Sequence, residues 1–374
     1  MSEDSSASGT PRIDRLLIVR LSAMGDIIHT LPAVAALRHA FPHATLGWII
    51  EERWAELLCT LRHPRSGHRS PQRPLVDRIH AVNTASWRRS LFSPDTWQQW
   101  AVGLSELRGV GYEVAIDFQG AVRAALLARW SGAKAVYGYI QPRENAASMW
   151  YSRQITTDGT HVVEQALSLA EAVIGKRGTM PPIEFPVDPD AEQKIAGLVG
   201  IACDFVILNP GAGWGAKQWP TERFGAVARQ LAKDGLCSLV NFGPGEEDLA
   251  ESVERAGAGA ARKISCSVSE LIELTRRARL FIGGDTGPMH LAAALHVPVV
   301  GIFGPTNPAR NGPFGTRSVV LRSATSSTSH ARLREPEKGL LEITPEEVVS
   351  AARQLLQNPK RYPGGRGVRG ELPL

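Results

Sequence analysis

Apolar residues in this chain come in short runs, each ending on small or charged residues and followed by a stretch of helical periodicity. Residues 16–21 form one such run, and Ile27, Leu31, Val34, Ala35 and Leu37 behind it lie on or near one helix face. Residues 46–50 read as a second strand, and residues 113–118 as a later strand that leads into a helix over 122–130. Between them, residues 63–74 are rich in Arg, His, Pro and Ser and read as a flexible surface insertion. Pro181, Pro182, Pro186 and Pro189 mark a linker, after which the pattern restarts. Strands at 205–208, 238–242, 280–282 and 297–303 then alternate with helices at 222–233, 246–255, 267–278 and 289–295. Ser267 and Glu270 form a capping box, and Thr344, Pro345 and Glu347 open a last helix that runs to about Gln357.

Alternation of this kind implies parallel sheets with right-handed crossovers. The chain is therefore predicted to be α/β, with two Rossmann-like, doubly wound domains at residues 12–180 and 190–343. The last helix occupies 344–358, and the Pro/Gly/Arg-rich tail 359–374 is expected to be disordered. A length of 374 residues agrees, being more than one compact core usually holds.

Composition narrows the class. With 43% hydrophobic and 21% charged residues the chain is an ordinary soluble globular protein. Its formal charge of +5 and pI near 9.2 have no single basic block behind them. A nucleic-acid partner is not favoured on that ground, and an anionic substrate or membrane surface fits as well. Cys59, Cys203, Cys237 and Cys266 are far apart and form no C-x-x-C pair, so reduced thiols are expected rather than a zinc site or a disulfide framework. The polar N-terminus is not a signal peptide, and no run approaches the ~20 apolar residues of a spanning helix. A cytoplasmic protein is expected.

Doubly wound sheets bind ligands outside the carboxyl ends of their strands, and two such domains facing one another are expected to enclose a cleft. Four loops in such positions could carry chemistry. In Ser22-Ala23-Met24-Gly25-Asp26, Gly25 permits a tight turn, and Asp26 at the helix start is either an N-cap or a base. Residues 209–220, with Gly211, Gly213 and Gly215 ahead of Lys217, read as a diphosphate cradle or as a flexible connector. In Gly283-Gly284-Asp285-Thr286-Gly287-Pro288-Met289-His290, the N–H groups near Gly287 can form an anion nest and Thr286 offers a hydroxyl. Asp285 and His290 are either structural or ligand-facing. Glu246 and Glu247 follow Gly243-Pro244-Gly245, where a carboxylate could hold a ribose or simply cap a solvated first turn.

Together these segments resemble glycosyltransferase family 9, the ADP-heptose:lipopolysaccharide heptosyltransferases, type I most closely. The resemblance rests on residues 20–33, on Asp117-Phe118-Gln119-Gly120, on Lys217-Gln218-Trp219-Pro220, and on residues 285–292 with 304–308 after them. It spans about residues 15–357. It implies a GT-B fold and an inverting, metal-independent transfer of heptose from ADP-heptose to Kdo-lipid A or the inner core, with no cofactor. Asp26 matches the general base, Lys217 the phosphate-binding lysine, and Thr286 with Gly287 the diphosphate cradle. Gly25, Gly213, Asp285 and His290 join the donor site, with either Glu246 or Glu247 on the ribose. Arg88 and Arg89 after Trp87 match a basic acceptor-binding segment, and Gln119, Arg123, Arg143 and His161 are further acceptor candidates. A monomer peripheral to the cytoplasmic face of the inner membrane is implied. No Asp-x-Asp motif stands in a donor loop, so the protein must supply the charge that the leaving group needs.

Other readings make different demands on the sequence. A dinucleotide oxidoreductase would carry G-x-G-x-x-G after the first strand, where this chain has Ser-Ala-Met-Gly-Asp. A non-catalytic nucleotide-sugar-binding protein would have no use for Asp26 as a base. A heptosyltransferase II-like or other sugar transferase of the same family stays open.

Overall fold

The computed structural model describes residues 12–84, 94–177, 180–199, 204–329, 331 and 333–357. Two compact units meet between Glu192 and Gln193. The first contains β1 (Arg15–Val19), α1 (Met24–Ala40), β2 (Thr45–Glu51), β3 (Arg78–Val82), α2 (Pro94–Gly109), β4 (Val114–Asp117), α3 (Val122–Trp130), β5 (Ala135–Tyr139), β6 (Arg153–Ile155) and α4 (Val162–Ile174). Its six strands are all parallel, in the order β3-β2-β1-β4-β5-β6. Leu16, Leu17, Ile18 and Val19 of β1 are fully buried, as a strand covered on both faces by helices requires. Helix α1 is buried without interruption from Ile27 to Arg38 and packs along α4.

Helix α5 (Pro189–Val199) crosses the boundary between the units. The second unit continues with β7 (Phe205–Asn209), α6 (Thr221–Lys233), β8 (Cys237–Phe242), α7 (Glu247–Gly257), β9 (Ala261–Ser265), α8 (Val268–Arg277), β10 (Leu280–Gly284), α9 (Gly287–Ala294), β11 (Val299–Phe303), α10 (Pro308–Asn311), β12 (Ser318–Arg322) and α11 (Pro345–Leu356). The strand order, again all parallel, is β12-β11-β10-β7-β8-β9. Both expected capping boxes are present: Ser267 Oγ accepts from Glu270 N at 3.2 Å, and Thr344 Oγ1 accepts from Glu347 N at 3.3 Å.

Each sheet thus has its first strand beside its fourth, β1 beside β4 and β7 beside β10. At those two places the winding reverses, which is where doubly wound sheets bind their ligands. Residues 20–26 and 118–121 flank the first switch point, and residues 210–220 and 285–286 the second.

Two expectations need correction. Residues 63–74 are not a loose insertion. Arg73, at 1% exposure, buries its guanidinium among them and donates to Val76 O at 3.1 Å, to His68 O at 2.8 Å and to Pro64 O. Ser66 pairs with Arg78 at the start of β3, so the loop is stitched at its edge as well. The cysteines are not uniformly reduced: Cys59 and Cys266 are free, whereas Cys237, at the exposed start of β8, is disulfide-bonded. The tail 359–374 lies outside the described residues, among which no helix is long and apolar enough to cross a membrane.

Replacing Arg73 by Met would leave three carbonyl oxygens, that of Val76 buried, without their donor. We expect Arg73→Met to lower unfolding stability by about 2–4 kcal/mol and to expose residues 63–74 to protease, measured by urea denaturation and limited proteolysis. Unchanged stability together with unchanged resistance would mean that the guanidinium does not hold the loop.

Candidate active site

At the first switch point the chemistry gathers around Arg20, the residue after β1. Its Nη2 lies 2.9 Å from Asp26 Oδ1, and its Nη1 donates to Phe118 O just past the end of β4. Asp26 is not the N-cap of α1. That position belongs to Ala23, and Asp26, three residues on, reaches back to accept from Ala23 N at 3.2 Å. Its carboxylate is thus held by one guanidinium and one backbone N–H, while its side chain stays 42% exposed. A carboxylate fixed on one side and open on the other can meet a substrate hydroxyl.

Behind it lies Asp117, the last residue of β4 and fully buried. Its Oδ1 accepts from Gln119 N at 2.8 Å and Gly120 N at 3.1 Å, and its Oδ2 from Tyr151 Oη at 2.7 Å. Burial raises its pKa to about 6, against the opposing pull of Tyr151, the two N–H groups and Arg20. Gly120 sits at φ +65°, and a Cβ there would come within 2.9 Å of Arg143 N, so a tight turn fits only glycine. The turn aims Gln119 Oε1 at Leu21 N, 2.8 Å away. Both sides of the first switch point are tied together in this way.

At the second switch point, Lys217 ends a single 3-10 turn (Gly215–Lys217) beyond β7. Its Nζ is 2.7 Å from Asp285 Oδ2 and 2.8 Å from Asp285 O, and lies 4.6 Å from the centre of the Trp214 ring. His290 Nε2 lies 3.1 Å from Asp285 Oδ1. Burial alone would raise the Asp285 pKa, but His290 and Lys217 together hold it well below the usual carboxylate range. Asp285 is therefore held in its ionised form at neutral pH, where it fixes the lysine. The loop before Lys217 is shaped from below by buried amides: Asn241 Nδ2 donates to Asn209 Oδ1 at 2.7 Å, and Asn209 Nδ2 to Gly211 O at 3.1 Å. Thr286 is the N-cap residue of α9, whose first N–H groups are those of Gly287 and Met289, since Pro288 has none. A lysine beside a free helix N-terminus can bind a multiply charged anion.

The family model described as glycosyltransferase family 9 (heptosyltransferase) matches residues 103–340. The chain belongs to this family. Lipopolysaccharide heptosyltransferase 1 of Pseudomonas aeruginosa is 30% identical over 318 residues, which span 83% of this chain and 84% of that protein. The enzyme of the same name from Escherichia coli K12 is 28% identical over 313 residues, 83% and 93% of the two chains. Among solved structures, the E. coli heptosyltransferase WaaC with ADP matches at a TM-score of 0.74 and 25% identity, covering 91% of this chain and 99% of that one. The paired six-stranded parallel sheets are the GT-B architecture of these transferases.

In this family member the remaining candidates divide by surroundings. Gly25 lies in the first turn of α1 beside Asp26, and Gly213 opens onto free space, where an added Cβ meets nothing within 4 Å. Glu246 is half-buried and its Oε2 accepts from Gly243 N at 2.9 Å. A Cβ at Gly211 would lie 2.2 Å from that Oε2, so the carboxylate rests directly on the loop ahead of Lys217, whereas Glu247 is exposed. Arg123 reaches Thr84 Oγ1 at 3.2 Å and Ser22 Oγ at 3.5 Å, next to the Asp26 loop, and Arg143 is exposed beyond Gly120. His161 is buried and caps α4, its Nδ1 accepting from Val163 N at 3.2 Å and its ring set edge-on to His29. Arg88 and Arg89 lie outside the described residues.

Arg20 and Asp117 carry no role predicted from the sequence, although both stand in the segments that carry the resemblance. The available signal was positional, since Arg20 follows one buried strand and Asp117 closes another at the same switch point.

Because folding raises the Asp117 pKa, the folded chain binds its proton more tightly than the unfolded chain, in which the carboxyl titrates near 4. This group's contribution to stability is therefore greatest at low pH and falls as pH rises through about 4 to 6. Asp117→Asn keeps the acceptor for Gln119 and Gly120 but does not ionise. We expect the variant to be more stable than the parent by of order 1–3 kcal/mol at pH 8, the difference shrinking toward pH 4.5, in paired denaturation curves. A difference independent of pH would contradict the assignment.

Proposed function

We propose that this glycosyltransferase moves heptose from ADP-heptose onto the Kdo/inner-core region of lipopolysaccharide, at the cytoplasmic face of the inner membrane. The observation that carries the reading is the anion site built from Lys217, Asp285 and the start of α9, in a chain 30% identical to a lipopolysaccharide heptosyltransferase 1 and matched by a heptosyltransferase solved with ADP. Lys217 and the Gly287 N–H bind the donor diphosphate, with Thr286 Oγ1 beside them. Glu246 takes the ribose in preference to Glu247, a choice supported by its half-buried carboxylate against Gly211.

The reaction is a single displacement. The acceptor oxygen forms a bond to the anomeric carbon as the bond from that carbon to the β-phosphate oxygen breaks, inverting the centre. Asp26, oriented by Arg20, receives the acceptor hydroxyl's proton late in the step, as charge builds on an oxocarbenium-like centre. The electron pair departs on ADP, where Lys217 and the α9 N–H groups stabilise it. These protein-borne charges serve without a metal ion. Gln119, Arg123, Arg143, Arg88 and Arg89 meet the anionic acceptor, arginine suiting carboxylate and phosphate through paired contacts. The protein acts as a monomer.

Three kinetic outcomes follow, read as ADP released from ADP-heptose with a delipidated Kdo acceptor. Asp26→Asn should lower kcat by roughly 10²–10⁴ with donor affinity little changed. Lys217→Ala should weaken ADP binding and slow transfer together. Turnover should persist in EDTA. Near-normal turnover of Asp26→Asn would remove Asp26 as the base, and strict dependence on magnesium or manganese would overturn the metal-free chemistry.

A further inference from the structure

The loop bearing Lys217 is rich in glycine, yet backbone from a distant part of the chain holds it. Ala216, immediately before Lys217, donates its N–H to Leu333 O at 3.0 Å and accepts at its carbonyl from Glu337 N at 3.2 Å. Both backbone groups of Ala216 are thus taken up by residues 333–337, in the connection between β12 and α11. Gly215 makes the approach possible. A Cβ there would fall 1.7 Å from Arg334 O, a separation that no real contact reaches, so the two backbones meet only because residue 215 lacks a side chain.

The connecting segment is itself anchored. Glu337 Oε2 accepts from Ser326 Oγ at 3.0 Å and from Leu340 N at 2.9 Å. The same oxygen lies 3.4 Å from where a Cβ at Gly304 would stand, just beyond β11. Long connections without regular structure are commonly functional or mobile. This one runs along the carboxyl ends of the strands and is tied to the loops there.

A loop with glycine at 211, 213 and 215 loses much conformational freedom when it takes up one shape around a ligand. Fixing that shape beforehand removes the cost from binding. It also holds Lys217 where charge develops on the leaving group, a task sensitive to displacements of about an ångström. We propose that residues 333–337 are a positioning strap for the donor diphosphate, which pairs with Ala216 and so fixes the backbone from which Lys217 acts. The inference rests on the ADP-sugar reading above. Linkage makes it reciprocal: if the strap favours ADP binding, ADP must tighten the strap.

The test uses the full chain with ADP as the probe. Amide exchange at Ala216 and Glu337 should slow together when ADP is added, by about fivefold or more. Gly215→Ala should raise the Kd for ADP about tenfold or more, with the far-UV CD spectrum unchanged. Glu337→Ala, which loosens the anchor and leaves residues 209–217 intact, should weaken ADP in the same direction by a smaller factor, and it carries the test if Gly215→Ala does not fold. Parent-like ADP affinity in both variants, or slowed exchange at Ala216 with none at Glu337, would overturn the strap while leaving the donor reading standing. A parent chain that binds no ADP would overturn both.

Discussion

In each unit, a cation from the loop after the first strand is bonded to the carbonyl one residue past the end of the fourth strand. Arg20 does this to Phe118 after β4, and Lys217 to Asp285 after β10. Those carbonyls lie at a switch point, where the strands end and their sheet partners diverge, so the ladder no longer satisfies them. A cation placed there supplies a donor and crosslinks the two loops that flank the crevice. It also fixes a carboxylate, Asp26 in one unit and Asp285 in the other. The two halves share this device along with their strand order.

The device is used differently in each. The side chains of Lys217 and Asp285 are 10% and 8% exposed, whereas Asp26 is 42% exposed beside Arg20 at 13%. Removing a lysine and an aspartate from water costs more than an isolated pair usually returns, so such a pair is weak evidence for stability and better evidence for a placed charge. His290 supports it by adding a second partner to Asp285. Asp26 instead keeps an open side, the arrangement wanted of a group that must exchange a proton. Stiffness comes from behind: Asp117 shapes the turn that carries Gln119, and the strap over Ala216 does the same for the donor loop.

Much of this was legible in the sequence, for physical reasons. Central parallel strands bury both faces, so β1, β7 and β10 announce themselves as continuous apolar runs, and glycines and charges after them mark the loops at the switch points. Edge strands lack that signal. Arg153 and Gln154 of β6, and Arg262 and Lys263 of β9, face solvent and read as polar connectors. The role of Arg20 depends on Phe118, far along the chain, and the strap depends on backbone groups that every residue carries. Arg73 shows the converse: a basic, proline-containing stretch looks flexible until one guanidinium is seen to gather its carbonyls. The contact with Gly211 that sets Glu246 apart from the exposed Glu247 is one that spacing does not reveal.

Recognition of a nucleoside diphosphate's charge by Lys217, pinned by Asp285 at the second switch point, is the proposal on which the others depend. It is tested most directly by titrating the full chain with ADP, AMP and adenosine at two salt concentrations. Affinity should fall steeply from ADP to AMP to adenosine, and only the charged ligands should weaken as salt rises. Equal affinity for adenosine and ADP, insensitive to salt, would contradict it.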